Sequence, residues 1–271
     1  SGILVTESGK GLIENTHLFT NNLAGIEIRD YGDPNILNSK IYNNKESGIL
    51  VTEQGFGVIE KTDIFGNNLS GIEVKNNSNP TVKGCRVHDG KQAGIIVHQG
   101  SKGRFDNCDI YSNTKACVGI SYNADPYFYQ CKVRDGKQGG IFIYEDGEGT
   151  FEQCEVYTNA KAGFEIREGG KAYIKNSKIH HGKECGILIS KQGFVDVEAC
   201  NIYENKFSGI EVKEKGNLLV KACNINKNDV GVWIDEKSYG KIESSDLSKN
   251  IQMPLDLEKG AKVDLIKNRG V

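Results

Sequence analysis

The stretch Cys85-Arg86-Val87-His88-Asp89-Gly90-Lys91-Gln92-Ala93-Gly94-Ile95 returns 46 residues later as Cys131-Lys132-Val133-Arg134-Asp135-Gly136-Lys137-Gln138-Gly139-Gly140-Ile141. After the same interval it returns as Ser177-Lys178-Ile179-His180-His181-Gly182-Lys183-Glu184-Cys185-Gly186-Ile187. Weaker copies stand midway, as in Cys108-Asp109-Ile110-Tyr111-Ser112-Asn113 and Cys154-Glu155-Val156-Tyr157-Thr158-Asn159. The unit is therefore about 23 residues long and comes in two alternating types. A unit of that size cannot bury an apolar face alone, so it must stack on its neighbours.

Three columns fix the unit. The first is a Gly followed by an apolar residue, as in Gly25-Ile26, Gly48-Ile49, Gly71-Ile72, Gly94-Ile95, Gly119-Ile120 and Gly140-Ile141. Each pair opens a short alternating segment such as Ile26-Glu27-Ile28, the period of two that marks a strand with one buried face. The second is the apolar residue two after a Cys, Ser or Thr, as in Cys200-Asn201-Ile202. The third contains Asn21, Asn44, Asn67, Gly90, Asn113, Gly136, Asn159, Gly182, Asn205, Asn228 and Asn250. Asn and Gly are the residues that most readily take positive φ, so this column predicts a left-handed turn residue once per unit.

No segment holds a 3.6-residue period for three turns, and 33 glycines are spread through the chain, so helices are excluded. Leucine-dominated columns and a helical return segment, which a leucine-rich horseshoe needs, are absent. The sequence therefore predicts an all-β, right-handed, single-stranded parallel β-helix of about twelve coils, a rod about 58 Å long. Residues 1–271 read as one β-helix domain; both ends lie within the repeat, from which an excised piece of a longer protein is expected.

Lysine and arginine number 34 against 36 acidic residues, a net charge of -2 that suggests neither a nucleic-acid nor a membrane partner. No apolar run reaches the roughly 18 residues of a membrane span, and Ser1-Gly2-Ile3-Leu4-Val5 is already repeat, with no signal peptide visible. Cys85, Cys108, Cys131, Cys154, Cys200 and Cys223 share one column with Ser39, Thr62, Ser177 and Ser245. A column that accepts Cys, Ser or Thr wants a small buried side chain, so free thiols and a reducing, intracellular compartment are expected. No Cys-x-x-Cys pair or comparable ligand cluster points to a metal, and no cofactor is expected.

Pro34, Pro80 and Pro126 recur at 46-residue spacing, and Gly9-Lys10-Gly11, Gly55-Phe56-Gly57 and Gly147-Glu148-Gly149 fall on the alternate coils. With the His-Asp-Gly-Lys-Gln-x-Gly-Ile ends of alternate coils, this pattern resembles the β-helix region of the F-box only protein 11 family, with substrate-binding repeats of the CASH type. The resemblance covers essentially the whole chain. It implies a substrate-recognition arm of a cytoplasmic or nuclear ubiquitin ligase, binding a protein substrate and reaching the ligase core only through regions outside this chain. No helical F-box segment or zinc-binding module is present in the sequence itself. The same repeat class occurs in carbohydrate-binding and carbohydrate-cleaving proteins, the alternative function.

If the residue after Gly points inward, the next points out. Leu50, Glu73, Ile96, Phe142, Glu165, Leu188, Glu211 and Trp233 then form an outward row, with Ser121 assigned to the coil between Ile96 and Phe142. Glu27 with Arg29, Glu73 with Lys75, Glu165 with Arg167 and Glu211 with Lys213 fall on single strands, same side. Apolar anchors in a charged frame read as a partner-binding face. No catalytic constellation assembles from matching columns, so the chain is expected not to be an enzyme: the acids of the row have a cation two residues on, and Asp235, Asp256 and Glu258 are the nearest approach to an acidic cluster.

Overall fold

Three-residue alternations of the form apolar-polar-apolar, bounded by Gly, Asn and Ser, build strands of three to five residues. The computed structural model describes residues 1–271 and resolves the first ten units into three such strands, and the last two into two, joined by tight turns. In one coil these are Ile72–Val74, Thr81–Lys83 and Arg86–His88. Each strand pairs in parallel with its equivalent one coil on, so Ile72 faces Ile95 and Glu73 faces Ile96. The result is three long parallel sheets, the first and second of twelve strands and the third of ten.

The core is a set of like-on-like stacks. Ile26, Ile49, Ile72 and Ile95 lie one above another without exposed surface, and Phe105, Phe128 and Phe151 stack at 4.5 and 5.1 Å between ring centroids. All eight cysteines are free and buried. Each thiol of the column that begins at Cys85 donates to backbone carbonyls of its own coil and the previous one, as Cys131 does to Tyr129 and Phe105. Burial pushes the Cys117 and Cys185 thiols up to about 12.

Two sequence expectations need correction. The Asn/Gly column does not carry the positive φ; the residue before it does, at Thr20, Asn43, Asp89, Ser112, Thr158, His181 and Glu204. The asparagines instead form a buried ladder. Asn44 donates its backbone N–H and its amide Nδ2 to Oδ1 of Asn67, at 3.0 and 2.9 Å. Where Gly90, Gly136 and Gly182 interrupt the column, their N–H groups still donate to Asn113, Asn159 and Asn205. The column thus selects Asn for its amide and tolerates Gly because the backbone donor survives.

The second correction concerns one coil. Gly119 does not belong to the glycine column; Cys117 occupies that place, its N–H bonded to the Gly139 carbonyl and its own carbonyl accepting from Ile95. Val118 and Ile120 point in and Gly119 points out, between Ile96 and Phe142. Ser121 therefore falls in the next outward row, beside His98 and Tyr144, and is itself buried.

Candidate functional site

The outward face of the first sheet carries two parallel rows. The first runs Leu50, Glu73, Ile96, Gly119, Phe142, Glu165, Leu188, Glu211, Trp233 in unbroken register. The structure thus brings together all eight residues of the expected face, partly exposed, and adds Gly119. The second row holds Lys75, His98, Ser121, Tyr144, Arg167 and Lys213. The four same-strand ion pairs form, at 3.5 Å for Glu27–Arg29, 3.1 Å for Glu73–Lys75, 3.6 Å for Glu165–Arg167 and 2.8 Å for Glu211–Lys213.

Gly119 makes the one gap in the first row. An added Cβ there would meet only Ile96 Cγ1, at an ordinary 3.7 Å, whereas at Gly94 it would strike Ile110 Cγ2 at 2.6 Å. Neither backbone geometry nor packing requires a glycine at 119, yet its missing side chain opens a depression of about 240 Å³. Ile96, Phe142 and Tyr144 line it together with Gln92, Lys115 and Gln138. A second hollow of about 190 Å³ lies on the other side of Phe142, against Gln138, Lys161, Glu165 and Arg167. Phe142 stacks on Tyr144 at 4.4 Å, and the Arg167 guanidinium sits 4.7 Å from the Phe142 ring centre. Arg167 Nε has no hydrogen-bond acceptor.

Beside the opening, Glu73 gathers three partners: Lys75, the Ser47 hydroxyl at 3.0 Å and His98 Nε2 at 3.3 Å. Burial pushes the Glu73 carboxyl up, but His98, Lys75 and Ser47 together overcome it and hold the group at about 2. Glu73 is thus a fixed anion that orients the imidazole. Tyr144 stands two coils along the same row, about 10 Å from His98 by strand spacing. Between them lies the floor formed by Gly119 and Ser121.

Other chemistry-bearing groups fall elsewhere. Asp235 accepts from the N–H groups of Glu214 and Lys237, and Glu258 from that of Glu236, so these acids brace turns. Asp125 and Glu148 occupy adjacent coils at the edge of the second sheet, where burial and then the neighbouring Glu148 raise the Asp125 carboxyl. Glu148 is engaged by Lys171 at 3.6 Å, and no hydrophobic side chain lines that hollow. No group of three or more His, Cys, Asp or Glu side chains is placed to hold a metal ion.

The third sheet carries an outward column of its own. His88, Arg134 and His180 are members of an outward column with Phe19, Tyr42, Phe65, Tyr111, Tyr157 and Tyr203. His88 ends the strand Arg86–His88 and is stacked between Phe65 and Tyr111 at 5.3 and 4.6 Å. Arg134 covers Tyr111 at 4.1 Å and grips Asp109 with two hydrogen bonds of 3.0 and 2.8 Å. The rings cover one another's faces, which makes this column a structural seam rather than a platform.

Solved structures share this architecture. The periplasmic alginate epimerase AlgG superposes with a TM-score of 0.65 at 14% identity, over 99% of this chain and 78% of that one. The Azotobacter vinelandii mannuronan C-5 epimerase AlgE6 A-module gives 0.53 at 12% identity, over 90% and 75%. The enzymatically active domain of bacteriophage CBA120 tailspike protein 2 gives 0.55 at 11%, over 87% of this chain and 38% of that chain. The expectation of a non-enzymatic chain, drawn from the lack of a catalytic constellation in the matching columns, is corrected by these likenesses, because the fold is shared with polysaccharide epimerases. No curated protein matches in sequence. Residues 1–132 and 117–269 each match the sequence model of the right-handed β-helix region, and with these parallel coils the chain belongs to that family.

Proposed function

We propose that this chain binds a polysaccharide on the outward face of its first sheet and alters it there by acid–base chemistry, one sugar ring lying over Gly119. The opening at Gly119 carries the reading, since that glycine has no conformational or steric reason to be one. Phe142 and Tyr144 supply the aromatic wall that the C–H face of a sugar packs against. Gln92, Gln138 and Lys115 offer donors and acceptors for ring substituents, and the Arg167 guanidinium backs Phe142 from the neighbouring hollow. His98, held by Glu73, and the Tyr144 hydroxyl flank the floor as proton acceptor and donor on either side of the bound ring. Hydrolysis by paired carboxylates over Gly119 is disfavoured: the flanking acids Glu73 and Glu165 stand four strand steps, about 19 Å, apart, against the roughly 5 to 10 Å that such chemistry needs, and both are ion-paired on their own strands. The names of the fold neighbours, epimerases of alginate and of mannuronan, agree with proton-transfer chemistry on a polysaccharide.

A panel of polysaccharides incubated with the protein, with products followed by NMR and binding by affinity electrophoresis, tests the reading. Gly119→Leu is expected to fold normally and to weaken binding more than about tenfold by filling the hollow. His98→Ala is expected to keep binding and lose at least about a hundredfold in turnover. A Gly119→Leu protein that binds and converts glycans like the parent would overturn the site. The apolar members Leu50, Ile96, Phe142 and Leu188 favour a second reading, a protein-recognition arm of the F-box only protein 11 type. Under that reading Leu50→Asp, Phe142→Asp and Leu188→Asp abolish capture of a protein partner, and glycans are left unbound.

A further inference from the structure

The turns leading from the third sheet into the first place one lysine on each of six consecutive coils: Lys91, Lys115, Lys137, Lys161, Lys183 and Lys206, all exposed. Their backbones are fixed by coil-to-coil hydrogen bonds, the N–H of Lys91 donating to Asn67, that of Lys137 to Asn113 and that of Lys183 to Asn159, at 3.0 Å each. Lys115 and Lys161 sit one residue further along the alternate turns, tied at 3.1 and 3.0 Å to the carbonyls of Gln92 and Gln138. None of the six forms an ion pair, although 25 such contacts occur in the molecule, so these charges are left free where most others are neutralised. The acids that open these turns, Asp89, Asp135 and Glu204, are occupied by His88, Arg134 and Lys227 through contacts of 2.7, 2.8 and 2.8 Å, and Glu184 lies further along the Lys183 turn. The turns at the opposite edge of the first sheet carry both signs, Glu53, Glu145, Asp146, Glu168 and Glu214 together with Lys191 and Lys215.

Lys115 and Lys161 also line the two hollows on either side of Phe142. The lysine edge is therefore one wall of the proposed glycan site, and it continues beyond the site in both directions. Its charges repeat at the coil spacing, so six lysines span about 24 Å along the axis.

We propose that the substrate is a linear anionic glycan, one carboxylate or sulfate per sugar, lying lengthwise along this edge with its charges matched to successive coils. This inference rests on the glycan reading of the Gly119 site and narrows it. An overall charge of -2 means that attraction to a polyanion must come from this edge and not from the molecule as a whole.

The test measures binding of polygalacturonate, a sulfated galactan and neutral dextran to the whole chain at several salt concentrations. A variant combining Lys115→Glu, Lys137→Glu and Lys161→Glu is compared with a control reversing Lys83, Lys175 and Lys221 on the second sheet, and circular dichroism confirms that both fold. One or both polyanions are expected to bind in preference to dextran, and the tighter of the two identifies the charged group as carboxylate or sulfate. The edge variant is expected to lose more than about tenfold in affinity and to show a shallower salt dependence, while the control changes neither. Equal binding of dextran, or polyanion binding untouched by the edge variant, would overturn the inference and leave the glycan site standing. Binding of no glycan at all would overturn both, and an edge-dependent preference for single-stranded nucleic acid would overturn the glycan assignment.

Discussion

The asparagine near the start of most turns into the first sheet is chosen for its side-chain amide. Asn113 is fully buried, accepts the Gly90 N–H on Oδ1 at 3.0 Å and donates Nδ2 to the Val87 carbonyl at 3.1 Å. Asn113→Ala strands both backbone groups away from water and is expected to cost about 2 to 4 kcal/mol, read as a lower urea midpoint with an unchanged slope. The column was visible in the sequence, but its cause was misassigned. Asn and Gly are the usual signature of positive φ, and here φ is +54° at Asn43 and +54° at His181, one place earlier, where the residue type varies widely. Those strained residues are over-determined by the ladders on both sides, which removes the local preference from the sequence record. The Cys column, in contrast, was read for the right reason: small buried side chains whose thiols face backbone carbonyls.

At the scale of the element, the first sheet gathers what the other two do not. Its outward rows combine a glycine gap, two stacked aromatics and a histidine held by an ionised carboxylate, whereas the third sheet pairs its charges and rings among themselves. Glu73 gives this face a pH signature. Its carboxyl lies at about 2 in the fold against an ordinary 4.5. The stability it confers is therefore fully present above about pH 4.5 and is lost as pH falls towards 2. The effect is at most about 3 kcal/mol, and less after solvent screening, since the side chain keeps some exposure. Glu73→Gln should flatten the acid limb of the stability–pH curve measured by urea unfolding between pH 5 and 2; an unaltered limb would show that the carboxylate contributes nothing there. The outward row and its four ion pairs were legible because strand alternation and a fixed period determine them. The hollow was not. Cys117 stands where the period calls for glycine, and the Gly119-Ile120 pair two places on mimics the glycine column, which drew the register two residues away.

The whole molecule is a one-dimensional stack in which each coil touches only its neighbours, so stability is shared locally and the ends are held on one side alone. Ile3, Ile13 and Leu18 at one end and Leu255 and Val263 at the other are only partly buried, while the equivalent residues of middle coils have no exposed surface. Architecture at this scale followed from the 23-residue period alone. Use did not, because alternating apolar and charged residues on a sheet suit a protein partner and a sugar equally until the depth of the surface is known.

Trp233, the sole indole, lies on the outer row between Glu211 and Asp256, one strand from the end of the first sheet. Its emission therefore watches the terminal rungs and is blind to the interior ones. In a denaturant titration the fluorescence midpoint should come below the far-ultraviolet circular dichroism midpoint, and coincident curves would mean that the rod melts as a single cooperative body.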